Sequence, residues 1–119
     1  DLRGRYQYFT EAPLDRLRAL GLRNNRIWPW GVTEFARTPV AGRLERLDIS
    51  GNPVGSDGLT TLATAPAFAG LRDLAAASFD LPYTYRIKAD GAAAVARSYN
   101  LRRLRRLRFG LGGVGGGRI

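Results

Sequence analysis

The sequence predicts an α/β fold made of about four similar units, each a short strand followed by a helix. Three observations support this prediction. Apolar residues recur about every 27 positions, their spacing changes within each unit, and turn residues separate the two halves. Such periods indicate stacked units, because a single unit cannot bury its apolar face alone. The 119 residues suffice for one domain with a modest core.

The unit that begins at Leu44 shows the pattern best, in the segment LERLDISGNPVGSDGLTTLA. Its first half predicts a strand that buries one side, and Gly51-Asn52-Pro53 then marks a turn. Its second half has helical spacing. Asp57, at the start of this helix, is expected to be its N-cap, with Asp90 in the matching position of a later unit. The apolar positions are Leu44, Leu47 and Ile49 in the strand and Leu59, Leu62 and Ala63 in the helix.

The same pattern recurs on both sides of this unit. A shift of 27 residues toward the N-terminus lays Leu17, Leu20, Leu22, Asn25 and Ile27 over Leu44, Leu47, Ile49, Asn52 and Val54. The opposite shift gives a third unit that begins at Leu71, whose helix arrives six residues late because of an insertion near residues 82–88. A fourth unit begins at Leu104.

The segments LRALGLRNNRI and LERLDISGNPV follow the pattern L-x-x-L-x-L-x-x-N-x-L. This pattern resembles the leucine-rich repeat, in its ribonuclease-inhibitor-like class, and the short repeats are similar to those of bacterial leucine-rich-repeat proteins. The resemblance implies a short horseshoe arc with parallel strands on the concave side and helices on the convex side. It also implies that Asn25 and Asn52 bond backbone groups of adjacent turns.

The resemblance covers residues 14–114. Residues 1–13 are expected to form a degenerate half-repeat or an N-terminal cap, and residues 115–119 a glycine-rich tail. The fourth helix is missing from the pattern, so we expect a truncated C-terminal end and a fragment of a longer array.

Composition excludes several kinds of site. The chain has no Cys and no His, which removes disulfides, Cys-based zinc sites, Ser-His-Asp triads and Cys-His pairs. The carboxylates are scattered, so we expect no enzyme, no metal and no cofactor. No apolar run approaches the roughly 18 residues of a transmembrane helix, and a cytoplasmic location is expected.

Net charge is +9, and all but one of the basic residues are arginines. This balance indicates attraction to nucleic acid or acidic surfaces. The alternative is compositional, since proteins from GC-rich genomes use Arg in place of Lys.

Three groups of residues are candidates for binding. The concave face would present Arg23, Arg46, Asp48, Ser50, Asp73, Arg106 and Arg108. The insertion would present Tyr83, Tyr85, Arg86 and Lys88. The anion-binding candidates are Arg102, Arg103, Arg105 and Arg106. Each group has a structural alternative: surface ion pairs, a tyrosine that fills a gap in the core, and solvated strand and loop residues, respectively.

The resemblance implies a noncatalytic protein-interaction module with a protein partner. One alternative is binding of nucleic acid or an anionic surface through the C-terminal arginines. A second alternative is a structural spacer without activity of its own.

Overall fold

The structure, a computed structural model, describes residues 16–77 and 87–108. The residues predicted to form the N-terminal cap (1–13) and the tail (115–119) lie outside the described residues. In chain order the elements are β1 (Ala19–Gly21), α1 (Pro29–Ala36), α2 (Pro39–Arg43), β2 (Arg46–Asp48), α3 (Gly55–Thr64), a 3-10 turn (Pro66–Phe68), β3 (Asp73–Ala75), α4 (Ala89–Ala96) and β4 (Arg106–Arg108).

The four strands form one parallel sheet in the order of the chain. Register partners lie 27 residues apart between β1 and β2 and between β2 and β3, and 33 apart between β3 and β4. This register places the central leucines of the strands side by side: Leu20, Leu47, Leu74 and Leu107. The predicted α/β class is confirmed, with strands and helices alternating around a parallel sheet.

One hydrophobic core joins the strands to the helices. Leu47 and Leu74 contribute from the sheet, and matching helix positions contribute Phe35, Leu62 and Val95. All five side chains are at most 5% exposed. The helices α1, α3 and α4 pack side by side in chain order. Each unit therefore completes its core with side chains from the units next to it.

The turn after β2 is held by one buried amide. Asn52 is 1% exposed, and its Oδ1 accepts the backbone N–H groups of Asn25 (2.7 Å) and Ile27 (3.0 Å). Its Nδ2 donates to the carbonyl oxygens of Leu22 (2.7 Å) and Ile49 (2.8 Å). An amide suits this position because it both donates and accepts hydrogen bonds. The bonds to an adjacent turn that were expected of this residue are present.

The same turns require a left-handed backbone at equivalent positions. Asn24 has φ +56° and Gly51, 27 residues later, has φ +75°. A Cβ on Gly51 would also collide with the Asn24 side chain. Glycine meets both requirements, because it alone lacks a Cβ and adopts positive φ freely.

The helix starts differ from the sequence prediction. Helix α3 begins at Gly55, with Val54 as the N-cap residue and no side-chain cap, so Asp57 is not the N-cap. Asp90 likewise lies inside the first turn of α4. Both helices begin further upstream than the apolar spacing indicated. Both carboxylates remain near the positive end of a helix dipole.

Each of three turns that lead back to the sheet contains the same kind of backbone hydrogen bond. The N–H of each leucine that starts a unit donates to the carbonyl three residues before it, in the pairs Leu44–Ala41 (3.3 Å), Leu71–Phe68 (3.1 Å) and Leu104–Leu101 (3.0 Å). Residues 43, 70 and 103 therefore occupy equivalent positions, immediately before these leucines.

Candidate functional site

Two rows of residues cross the exposed face of the sheet, because alternate residues of a strand point to opposite sides. We call this the sheet face. Its first row is Ala19, Arg46, Asp73 and Arg106, and its second row is Gly21, Asp48, Ala75 and Arg108. The charged members come from β2, β3 and β4, whereas β1 contributes only Ala19 and Gly21.

Asp73 links the two arginines of the outermost described strand. Its carboxylate lies 3.4 Å from the Arg108 guanidinium and 3.9 Å from that of Arg106. The arginine side chains are 60% and 68% exposed, respectively. Exposed pairs of this kind contribute about 0–1 kcal/mol. Asp73 therefore orients the two guanidinium groups while leaving most of their surface accessible.

Asp48 organises the end of β2. One carboxylate oxygen lies 3.8 Å from Arg23, and the other accepts the backbone N–H of Ser50 at 2.9 Å. Ser50 itself is 5% exposed, and its hydroxyl accepts the N–H of Ala77 at 3.1 Å. The Ser50 side chain therefore joins neighbouring units instead of contributing to the exposed surface.

Arg46 is exposed at the centre of the first row. Among the described residues no carboxylate lies within ion-pairing distance of its guanidinium, although Asp73 is its register partner on β3. Arg46 is thus the sheet-face arginine with the greatest freedom to bind a partner carboxylate.

The C-terminal arginines lie on a turn and a strand. The alternating arginines and leucines of this segment would also suit a basic amphipathic helix, but residues 98–108 form turns and a strand. Leu101 is 4% exposed, and Leu104 and Leu107 pack against the core. The candidate arginines of this segment are all exposed: Arg102, Arg103, Arg105 and Arg106.

Most of the predicted insertion loop lies outside the described residues: Tyr83, Tyr85 and Arg86. Lys88 is described. It is half-buried and precedes α4, and its backbone N–H donates to the Ser56 hydroxyl at 2.9 Å. Lys88 therefore ties α4 to α3 through its backbone.

The same serine acts on a carboxylate of α4. A hydrogen bond with the Ser56 side chain lowers the pKa of Asp90, and the backbone N–H of Gly91, at 2.9 Å, lowers it further. Both bonds favour the ionised carboxylate.

Residues 16–77 and 87–108 contain no group of three or more acidic, His or Cys side chains that could hold a metal ion. No helix in these ranges is long and apolar enough to cross a membrane. A cavity of about 10 Å³ lies in the core, lined by apolar side chains that include Val32, Ile49 and Phe68. It has room for at most one water molecule, and its apolar lining offers that water no hydrogen-bond partner, so it is a packing void.

Comparisons with models of known protein families, with curated protein sequences and with solved structures found no match. The fold and the arrangement of charges are therefore the basis for a functional proposal.

The structure adds two arginines that sequence analysis missed. The backbone N–H groups of Arg105 and Arg106 both donate to the carbonyl of Arg72, at 2.8 and 3.0 Å, so Arg72 adjoins the C-terminal arginines. Arg43 precedes β2 at the position that Arg103 occupies before β4. The repeat register already makes Arg43 equivalent to Arg103, but this equivalence emerges only when the exposed positions of the units are compared.

Proposed function

We propose that the chain is a leucine-rich-repeat solenoid of the ribonuclease-inhibitor-like class that acts as a noncatalytic protein-interaction module. The 27-residue register of the first three strands and the parallel sheet support the repeat. The hydrogen bonds of Asn52 to the preceding turn support it further, because they occur at the position where the repeat pattern carries Asn.

The proposed binding surface is the sheet face. The observation that carries this proposal is the alignment of charged side chains of both signs across neighbouring strands. Such a surface favours a partner with complementary charges, which increases specificity and the association rate. Arginine also occurs often among the residues that dominate binding energy. Arg46 is the proposed anchor, with Asp48, Asp73, Arg106 and Arg108 around it.

The charges on this face suit binding more than catalysis. Asp48 and Asp73 each interact with arginines, and the chain has no histidine to act as a general base. We therefore propose that the module orients a partner protein without transforming it.

The proposal is tested with one charge reversal and a matched control. Arg46→Glu reverses a charge on the sheet face, and Arg37→Glu makes the same change immediately after α1. Both residues are exposed, so the fold is expected to survive in both variants, as circular dichroism and urea denaturation would verify.

The assay is affinity capture from lysate of the source cells, after nuclease treatment and at moderate salt. We expect discrete protein partners with the unmodified chain and with Arg37→Glu, and at least about tenfold lower recovery with Arg46→Glu. Equal recovery with both variants would reject the sheet face as the binding surface. A blank for all three would favour the spacer alternative.

A further inference from the structure

A second surface lies beside the sheet face, at the N-terminal side of the strands. Here exposed arginines from three neighbouring units flank the residues where the strands begin. We call these residues the arginine strip: Arg43, Arg72, Arg103 and Arg105. The parallel register fixes their proximity, since adjacent strands lie about 4.8 Å apart. The bond from the Arg105 N–H to the Arg72 carbonyl shows that contact directly.

The strip is almost free of compensating charge. Within the described residues, no carboxylate lies within ion-pairing distance of Arg43, Arg72, Arg103 or Arg105. One acidic side chain, Glu45, lies among them, and it forms no salt bridge to the strip. By contrast, Asp48 and Asp73 on the sheet face interact with arginines. The strip is thus a concentrated positive surface that attracts polyanions.

An exposed aromatic ring lies on the turn that precedes Arg103 and Arg105 in the chain. Tyr99 is 79% exposed, and the Arg102 guanidinium lies 4.9 Å from the centre of its ring. The neighbours of Tyr99 anchor the backbone on both sides: Ser98 donates to the Ala63 carbonyl and Asn100 donates to the Ala65 carbonyl. The ring is therefore exposed on a fixed turn, beside Arg102 and four residues before the strip arginine Arg103.

These two features together favour one class of ligand. Arginines bind phosphate oxygens in a bidentate manner. An acidic peptide would satisfy the arginines as well, but it offers nothing that requires an exposed aromatic ring. A base of a single strand stacks on such a ring, whereas the bases of a duplex are already stacked on one another.

We propose that the arginine strip and Tyr99 bind single-stranded nucleic acid, with phosphates along the strip and one base stacked on Tyr99. This surface is distinct from the sheet face, so the inference stands whether or not the sheet face binds a protein.

The test measures binding of a fluorescent oligouridine by anisotropy at several salt concentrations. With four phosphate contacts, affinity falls roughly fiftyfold between about 50 and 200 mM salt. Absence of binding at the lower salt concentration would overturn the proposal. An excess of polyglutamate that competes as well as unlabelled oligouridine would also overturn it, in favour of an acidic protein segment. Equal competition by a duplex would reject the preference for single strands.

Matched variants separate the strip from general basicity. Arg72→Gln with Arg105→Gln removes two charges from the strip, and Arg37→Gln with Arg97→Gln removes two after the C-terminal ends of α1 and α4. We expect the first pair to weaken binding at least about tenfold and to make the salt dependence shallower. The second pair is expected to have an effect of less than about threefold. Equal losses would overturn the proposal.

A gain-of-binding variant tests the strip from the opposite direction. Gly70 occupies the position that Arg43 and Arg103 occupy in the neighbouring units. A Cβ there would meet only the Leu44 carbonyl oxygen, at 3.5 Å, which is an ordinary contact. Gly70→Arg therefore completes the row without strain, and we expect severalfold tighter binding with a steeper salt dependence. Unchanged or weaker binding by the folded variant would contradict the strip as the phosphate site.

The contribution of the base is tested at Tyr99. Tyr99→Phe keeps the ring and is expected to bind like the unmodified chain, whereas Tyr99→Ala is expected to bind about tenfold more weakly. Equal affinity of these two variants would remove Tyr99 from the proposed site and overturn the preference for a stacked base.

Discussion

Asn52 and Asn25 lie 27 residues apart in the chain, yet the Oδ1 atom of Asn52 accepts the backbone N–H of Asn25 at 2.7 Å. The same oxygen accepts a second N–H, and the Nδ2 group donates to two successive turns. One buried side chain thus fixes the distance and the register between two units. The surfaces proposed above depend on that register, because they are assembled from neighbouring strands.

Replacement of Asn52 is expected to weaken this connection strongly. Asn52→Ala leaves buried backbone groups unpaired, each at about 1–3 kcal/mol, so we expect a loss of roughly 3 kcal/mol or more in the free energy of unfolding. Asn25→Ala is the control, because Asn25 is only half-buried and its side chain bonds the nearby Arg23 carbonyl. That variant is expected to lose about 1 kcal/mol or less. Similar losses in urea denaturation would contradict the structural role of Asn52.

Adjacent residues of β2 are expected to respond oppositely to a carboxylate. Leu47 is 3% exposed, so Leu47→Asp buries an unpaired charge and is expected to unfold the chain. Arg46 is exposed on the other side of the strand, and Arg46→Asp is expected to retain the fold. Circular dichroism distinguishes the two results. Equal tolerance of both substitutions would reject the assigned faces of the sheet.

The sequence predicted the positions that repeat, because burial imposes a strict spacing on apolar residues. The leucine register of the four strands and the buried Asn52 both follow from such spacing. The sequence could not predict that Ser50 is buried while Arg46, four residues earlier, is exposed. A small hydroxyl suits either environment, and its partner, the Ala77 N–H, belongs to another unit.

Side-chain hydrogen bonds within the turns were also beyond the repeat pattern. The turn residues Thr38 and Ser98 each accept an N–H three residues later, but the intervening unit has Ala65 there, so no motif recurs. The sequence predicted Arg103 and Arg105 as anion-binding residues but not the other two members of the arginine strip. Arg43 and Arg72 are distant from them in the chain, and only strand pairing brings Arg72 beside Arg105.

Close packing of α3 and α4 predicts that a methyl group at Gly91 is destabilising. A Cβ there would lie 2.8 Å from both the Cα and the Oγ of Ser56, closer than atoms can approach without a shift. We expect Gly91→Ala to lower the free energy of unfolding by about 1–3 kcal/mol.

Gly42→Ala is the matched control for this effect. Gly42 lies in α2, and a Cβ there would meet nothing within 4 Å. Alanine is more favourable than glycine in a helix, so a gain of up to about 1 kcal/mol is expected. A shift of the urea midpoint in the same direction for both alanine variants would contradict the close approach of α3 and α4 at Gly91.

The lowered pKa of Asp90 predicts a pH dependence of stability. Because the hydrogen bond with Ser56 and the Gly91 N–H favour the ionised form, Asp90 stabilises the fold above its ordinary pKa of 3.8. That contribution is lost as pH falls through the lower pKa of the folded state. Ser56→Ala is expected to raise the pKa of Asp90 toward its ordinary value, as a carboxyl NMR titration would measure.

A second hydroxyl provides the control for this titration. Thr64, at the C-terminal end of α3, donates to the Thr60 carbonyl within the same helix. Thr64→Val is expected to leave the Asp90 titration unchanged, whereas an equal shift in both variants would exclude the bond with Ser56 as the cause.

The most direct test of the stacked architecture is disulfide formation between register partners. The chain contains no cysteine, so a designed pair reacts without competition. Ala19 and Arg46 are register partners on β1 and β2, whereas Asp48 is offset by two residues. Adjacent partners are about 5 Å apart, within disulfide range, and the offset pair is roughly 8 Å apart, beyond it. We predict that Ala19→Cys with Arg46→Cys oxidises readily and Ala19→Cys with Asp48→Cys does not. Equal rates, or faster closure of the offset pair, would contradict the register on which both proposed surfaces depend.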